Sequence, residues 1–95
     1  MEYKVPFSDD ALRDIEETLE FIRADKPLVS EEFAIALLNH VDLSAAFPYI
    51  GAVVPRRPGV RKLLHTPTRI YYRIHEDKKL VEMLRLGHGS GRLPR

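Results

Sequence analysis

Val60-Arg61-Lys62-Leu63-Leu64-His65-Thr66-Pro67-Thr68-Arg69-Ile70-Tyr71-Tyr72-Arg73 is the stretch around which the chain is organised. Two short runs of strand-forming residues flank a four-residue break, His65-Thr66-Pro67-Thr68. That is the pattern of a β-hairpin with a longer loop. The second arm alternates: Ile70, Tyr72 and Ile74 point one way, and Arg69, Tyr71, Arg73 and His75 the other. Such a strand buries its first face and offers its second to water or to something anionic. Arg69, Tyr71 and Arg73 are therefore expected to emerge from an uncovered sheet face, with Tyr72 in the core.

Upstream of the hairpin the chain reads as its scaffold. Tyr3-Lys4-Val5 alternates and predicts a short first strand, closed by Pro6. Ser8 is a good helix N-cap, and Asp9 and Asp10 put negative charge in the first turn, where the helix dipole favours it. Leu12, Ile15, Leu19 and Ile22 recur at steps of three, four and three, one apolar stripe on a helix of about four turns. The carboxylates of this helix, Asp14, Glu16, Glu17 and Glu20 among them, read as a solvated face.

Asp25-Lys26-Pro27 ends the first helix. Pro27 suits the N1 position of a second, and Ser30 competes as its N-cap. The second helix carries Phe33, Ala34, Leu37, Leu38, Val41 and Ala45. It should stop near Phe47, because Pro48 disfavours α geometry in the residue before it. Phe47-Pro48-Tyr49-Ile50-Gly51 is a turn with apolar anchors, and Ala52 to Gly59 a stiff basic loop. Beyond the hairpin, Glu76-Asp77-Lys78-Lys79 is a charged turn. Leu80–Leu86 is apolar enough to sit centrally in a sheet. Its alternation is imperfect, with Glu82 and Arg85 falling on opposite faces, which leaves room for a bulge.

The predicted order is β-α-α-β-β-β, an α+β fold in which a helical hairpin packs on one face of a small, mainly antiparallel sheet. Residues 1–95 form one domain, with a flexible basic tail at 89–95. No apolar run is long enough to span a bilayer, and Met1-Glu2-Tyr3-Lys4 is not a signal peptide, so a cytoplasmic location without membrane association is expected. The chain has no cysteine, which excludes disulfides and thiolate chemistry. His40, His65, His75 and His88 lack metal-ligand spacing, so no metal and no cofactor are expected. The net charge of +1 conceals a division. Residues 1–55 hold 4 Lys/Arg against 11 Asp/Glu, and residues 56–95 hold 11 against 3. A basic half beside an acidic half suits a phosphate or acidic protein partner, unless the halves fold together and cancel.

The chain resembles the RelE/ParE superfamily of bacterial toxins from type II toxin–antitoxin modules. The resemblance rests on Ser8-Asp9-Asp10-Ala11 with Asp14-Ile15-Glu16 and Phe21-Ile22. It continues through Phe47-Pro48-Tyr49-Ile50-Gly51, Gly59-Val60-Arg61-Lys62-Leu63 and Arg69-Ile70-Tyr71-Tyr72-Arg73-Ile74, and ends in Leu84-Arg85-Leu86-Gly87-His88-Gly89. It implies the same β-α-α-β-β-β fold, and a plasmid-stabilisation type of toxin held in check by a cognate antitoxin in a hetero-oligomer. The superfamily divides by target. ParE-like members poison DNA gyrase; RelE-like members are mRNA interferases that cut message on the ribosome without metal.

Metal-free RNA cleavage needs a base for the 2′-hydroxyl, cations for the phosphate and an acid for the leaving oxygen. By resemblance the candidates for such a nuclease are Arg61, Lys62, Arg69, Arg85 and His88. The candidates for binding target or antitoxin are Arg61, Arg69, Tyr71, Arg73, Arg85 and His88. After His88, Gly89-Ser90-Gly91 stands where many relatives carry one or two Arg, and Arg92 is displaced. The incomplete set, the His-Gly ending and the Phe-Pro-x-x-Gly turn look more ParE-like. A ribosome-dependent endoribonuclease, and a degenerate member without toxicity, are the alternatives.

Overall fold

In the computed structural model, which describes residues 2–88, two helices are followed by a four-stranded antiparallel sheet. Helix α1 spans Asp9–Asp25 and α2 spans Pro27–Ala46. Strands β1 (Ala52–Val53), β2 (Val60–His65), β3 (Thr68–His75) and β4 (Leu80–His88) pair in sequence order. The α+β class expected from the periodicity is the one found.

Ser8 starts α1 as anticipated. Its Oγ accepts the Ala11 N–H at 3.0 Å, and its hydroxyl donates to the Leu84 carbonyl at 2.9 Å. One side chain thus caps the helix and fastens it to β4. Pro27 is the first residue of α2, where its missing N–H costs nothing. Ser30 is therefore inside the helix rather than at its cap. It is buried, and its hydroxyl donates to the Leu19 carbonyl at 3.2 Å, tying the two helices together. Phe47 closes α2, its N–H donating to Leu43 at 2.8 Å.

The seam of α1 lies about one residue away from the expected stripe at its start, while that of α2 keeps Leu37, Val41 and Ala45. On α1 the buried positions are Ala11 and Thr18, with Ile15 packed against the core between them, while Leu12 is exposed. On α2, Leu37, Val41, Ser44 and Ala45 are buried and Leu38 faces out. Small residues at Ala11 and Ser44 let the helices approach closely, beside Leu37 and Val41, which are fully buried in the core. The core joins these positions to Leu63, Ile70, Tyr72, Val81, Met83 and Leu86.

The sheet differs from expectation at both margins. Residues 4–7 do not form a full strand. They run parallel to the start of β4 through the bridges Lys4↔Leu80 and Phe7↔Met83, with Val81 N–H donating to Lys4 at 2.7 Å. Strand β1 comes instead from the stretch expected to be loop, as a two-residue edge paired with Lys62 and Arg61. Strand β4 is the last of the four, yet it is flanked on both sides, by β3 and by residues 4–8, so it sits inside the sheet as its apolar content suggests. Its apolar residues are buried because the helices cover that face. The β2–β3 turn is also tighter than predicted, since His65 pairs directly with Thr68 and only Thr66 and Pro67 lie between.

The irregular alternation of β4 has a structural cause. Tyr71 pairs with Arg85 while Tyr72 pairs with Met83, so Leu84 is an extra residue, a β-bulge. The bulge shifts the phase by one. Glu82, opposite Arg73, and Arg85, opposite Tyr71, consequently belong to the same face. No helix among the described residues is long and apolar enough to cross a membrane.

Candidate functional site

The register sorts the candidate residues between two faces. Lys62, Tyr71 and Arg85 form one cross-strand row, Leu64, Arg69 and Gly87 a second, and Val60, Arg73 and Glu82 a third. All three lie on the face away from Leu63, Ile70, Tyr72 and Met83. The open face therefore gathers Lys62, Arg69, Tyr71 and Arg73, with Arg85 at its margin. Arg73 is exposed, whereas Lys62 and Arg69 are half-buried.

Tyr71 departs from expectation. It lies on the predicted face but is only 3% exposed. The four positions adjoining it there are Lys62, Arg69, Arg73 and Arg85. A ring in the middle of a central strand among long side chains is covered by their aliphatic stems. The face is thus cationic at its surface, with the aromatic ring beneath.

Arg61 belongs to the other face. It pairs with Tyr72, and its Nη1 donates to the Gly51 carbonyl at 2.8 Å and to the Tyr49 carbonyl at 3.3 Å. Its guanidinium lies 4.9 Å from the centre of the Tyr49 ring. Tyr72 serves the same turn: its hydroxyl donates to Pro48 at 2.8 Å and accepts the Gly51 N–H at 2.9 Å. Burial pushes the Tyr72 phenol up, against the Gly51 hydrogen bond and the Arg61 charge, which hold it down. Gly51 is fixed by this close approach, since a Cβ there would stand 2.8 Å from both the Lys62 carbonyl oxygen and the Tyr72 hydroxyl.

Arg85 is held by α1. Its Nε donates to Asp14 Oδ2 at 2.8 Å and its Nη2 to Oδ1 at 3.0 Å, a bidentate pair. Asp14 Oδ2 also accepts the Leu86 N–H at 2.9 Å. The pair keeps the guanidinium charged to above its ordinary range. Asp14, which the sequence reading placed on a solvated face, is instead the residue that anchors Arg85 and β4 to α1. The available signal was its position three residues after Ala11 and four before Thr18, on the inner side of the helix.

Two histidines make a further contact. His40 Nδ1 on α2 and His65 Nδ1 on β2 are 2.8 Å apart, one donating and the other accepting according to tautomer. Phe33 packs edge-on against His65 at 5.6 Å. Burial, and secondarily the neighbouring His40, lower the His65 pKa. His75 Nε2 lies 3.1 Å from Glu82 Oε1. No group of three or more metal-ligating side chains occurs among the described residues. His88 ends β4, paired with Thr68 through the backbone; its side chain and the basic tail at 89–95 lie outside what is described.

The family described as ParE toxin of type II toxin–antitoxin system, parDE, matches residues 5–93. The chain belongs to the ParE toxin family. Among curated proteins none matches. Solved structures share the fold. A chain of the ParDE toxin–antitoxin system from P. aeruginosa aligns with a TM-score of 0.76 at 20% identity, covering 92% of this chain and 96% of that one. One from the RelBE2 toxin–antitoxin complex of Mycobacterium tuberculosis gives 0.67 at 22% identity, covering 94% and 100%. One from the E. coli RelBE complex gives 0.60 at 20%, covering 93% and 98%. This ParE-family toxin thus shares its fold with chains from both ParDE and RelBE systems, and its target has to be argued from its own side chains.

Proposed function

We propose that this ParE-family toxin acts by binding DNA gyrase rather than by cutting RNA, and that a cognate antitoxin neutralises it in a hetero-oligomer. The observation that carries the reading is the dispersal of the nuclease candidates. Of Arg61, Lys62, Arg69 and Arg85, Lys62 and Arg69 lie together on the open face, with Arg85 at its margin and Arg61 on the opposite face. Arg61 braces the 48–51 turn from the opposite face. Arg85 has both ends of its fork on Asp14. Metal-free cleavage of a phosphodiester requires several cations converging on one phosphate together with a base and an acid. The contacts of Arg61 with the 48–51 turn and of Arg85 with Asp14 draw two of the four candidates away from such a set, which supports the binding reading.

What the open face does offer is a binding surface. Lys62, Arg69 and Arg73 present positive charge on a rigid sheet, which suits an acidic protein surface. The gyrase target itself comes from the family likeness, and the antitoxin from the complexes in which related chains were solved. A purified translation reaction tests the exclusion of nuclease activity. Message should stay intact with this protein present. Cleavage that survives chelation and vanishes in Arg69→Ala would reverse the proposal.

A further inference from the structure

Between α2 and β1 the chain forms a short knuckle, Phe47-Pro48-Tyr49-Ile50, that is apolar outside and hydrogen-bonded inside. Phe47 and Tyr49 are 59% and 53% exposed, Ile50 is 46% exposed, and Val53 next to them on the edge strand is 64% exposed. An irregular turn with this much apolar surface is ordinarily mobile. Here it is held from within. Tyr72 and Arg61 make four hydrogen bonds to the Pro48 and Tyr49 carbonyls and to both backbone groups of Gly51. Two core-facing side chains of the sheet thus fix a turn whose own large side chains point to water. Rigid exposed aromatics are what an interface needs, because little freedom is lost when they are covered.

The stretch of chain that carries the knuckle is one-sided in charge. From Leu43 to His75 the sequence contains no Asp or Glu, against six Lys and Arg. Arg56 and Arg57 follow β1 after Val54 and Pro55, and Lys62 pairs with Ala52. Strand β1 is also an open sheet edge. The Val54 N–H donates to Val60 at 3.1 Å, so by the alternation of an antiparallel ladder Val53 turns its N–H and C=O away from β2.

We infer that the knuckle and the β1 edge form a docking surface for an acidic segment of a partner protein, with apolar side chains seated on Tyr49, Ile50 and Val53 and carboxylates beside Arg56 and Arg57. This goes beyond the gyrase reading and does not depend on it. A protein fits better than a nucleic acid. Arg61 lies over the Tyr49 ring and Ile50 and Val53 are aliphatic, which leaves Phe47 as a single further ring, too few for successive stacked bases.

The probe is a labelled synthetic peptide in which Leu and Phe alternate with Glu, and its counterpart with Lys in place of Glu. Binding to the full chain is read by fluorescence anisotropy. The Glu peptide should bind saturably and more weakly as salt rises. Tyr49→Ser should weaken it about tenfold, the scale of a lost interface anchor, and Arg57→Glu should weaken it as well. Leu28→Ser, at an exposed apolar position at the opposite end of α2, should leave it unchanged. Circular dichroism melts establish that each variant is folded. Absence of saturable binding, equal binding of the Lys peptide, or binding indifferent to Tyr49→Ser would overturn the inference. So would a self-associating chain in sedimentation whose association Tyr49→Ser abolishes, or an oligouridylate that competes for the same residues.

Discussion

Replacing Asp14 by Ala tests how the sheet is joined to α1. The substitution removes three acceptor contacts at once, two from the Arg85 guanidinium and one from the Leu86 N–H. An exposed ion pair contributes about 0–1 kcal/mol, whereas removing one partner of a buried pair costs about 3–5 kcal/mol. Asp14 stands near the buried limit, its side chain 11% exposed, but the Arg85 side chain is 29% exposed. The orphaned guanidinium can therefore turn toward water, while the Leu86 N–H beside α1 loses its acceptor. The loss should fall between the two limits, at about 2–3 kcal/mol. For a domain of this size each kcal/mol moves the melting temperature by about 4–8 °C, so the drop should be about 10–20 °C. Thermal and urea unfolding followed by circular dichroism measure it. Arg85→Met alone and the double variant complete a cycle, with a coupling of about 1–3 kcal/mol expected. A melting temperature within about 3 °C of wild type, or a coupling near zero, would show that the bidentate pair is ornament and that α1 is held by packing alone.

Three further outcomes follow from the same structure. Tyr72→Phe deletes the hydroxyl that serves Pro48 and Gly51 and leaves the Gly51 N–H without its buried acceptor; urea titration should show a loss of about 1–3 kcal/mol. Gly51→Ala places a methyl 2.8 Å from the Lys62 carbonyl oxygen and the Tyr72 hydroxyl, and the forced shift should cost about 1–3 kcal/mol in the same assay. The His65 pKa is lowered on folding, so the unfolded chain binds the proton more readily. The stability His65 contributes is present in full above its ordinary pKa of 6.5 and is lost as pH falls from there through the lower folded-state pKa. The urea midpoint should thus decline from about pH 7.5 to about pH 5.5, and decline less in His65→Phe. Equal slopes in the two proteins would remove the His40–His65 contact from the explanation.

The fold was legible where one local pattern spoke for one element. Ser8 before two aspartates, Pro27 at a helix start, Pro48 after Phe47 and the alternation of 69–75 each have a single cheap conformational answer. The reading failed where tertiary context overrode pattern. Residues 4–7 alternate like a strand, yet only two bridges join them to β4, because α1 begins at Asp9 and leads the chain away. Ala52–Val53 reads as loop and becomes an edge because Gly51 is drawn in against Lys62 and Tyr72. The Leu84 bulge could be suspected from the broken alternation, but its position depends on pairing with β3.

The candidate site was legible to a similar degree. Arg69 and Arg73 fall on the open face that alternation assigned to them. Arg61 and Arg85 make contacts that the pattern does not give, because their partners are remote in sequence. Arg85 reaches Asp14 from the far end of the chain, and Arg61 reaches a turn that its own strand folds back upon. A charge pattern along one segment carries no information on either contact. Sequence spacing supplies neighbours within an element, while these pairs are made by the sheet register and the helix crossing.

A supercoiling reaction with purified DNA gyrase, titrated with this protein and run beside a translation reaction read for cut message, tests the central claim most directly. The account predicts arrested supercoiling with trapped, cleaved DNA while the message stays whole. Normal supercoiling beside message cut without metal would contradict it, and would make Lys62 and Arg69 catalytic candidates in place of binding residues.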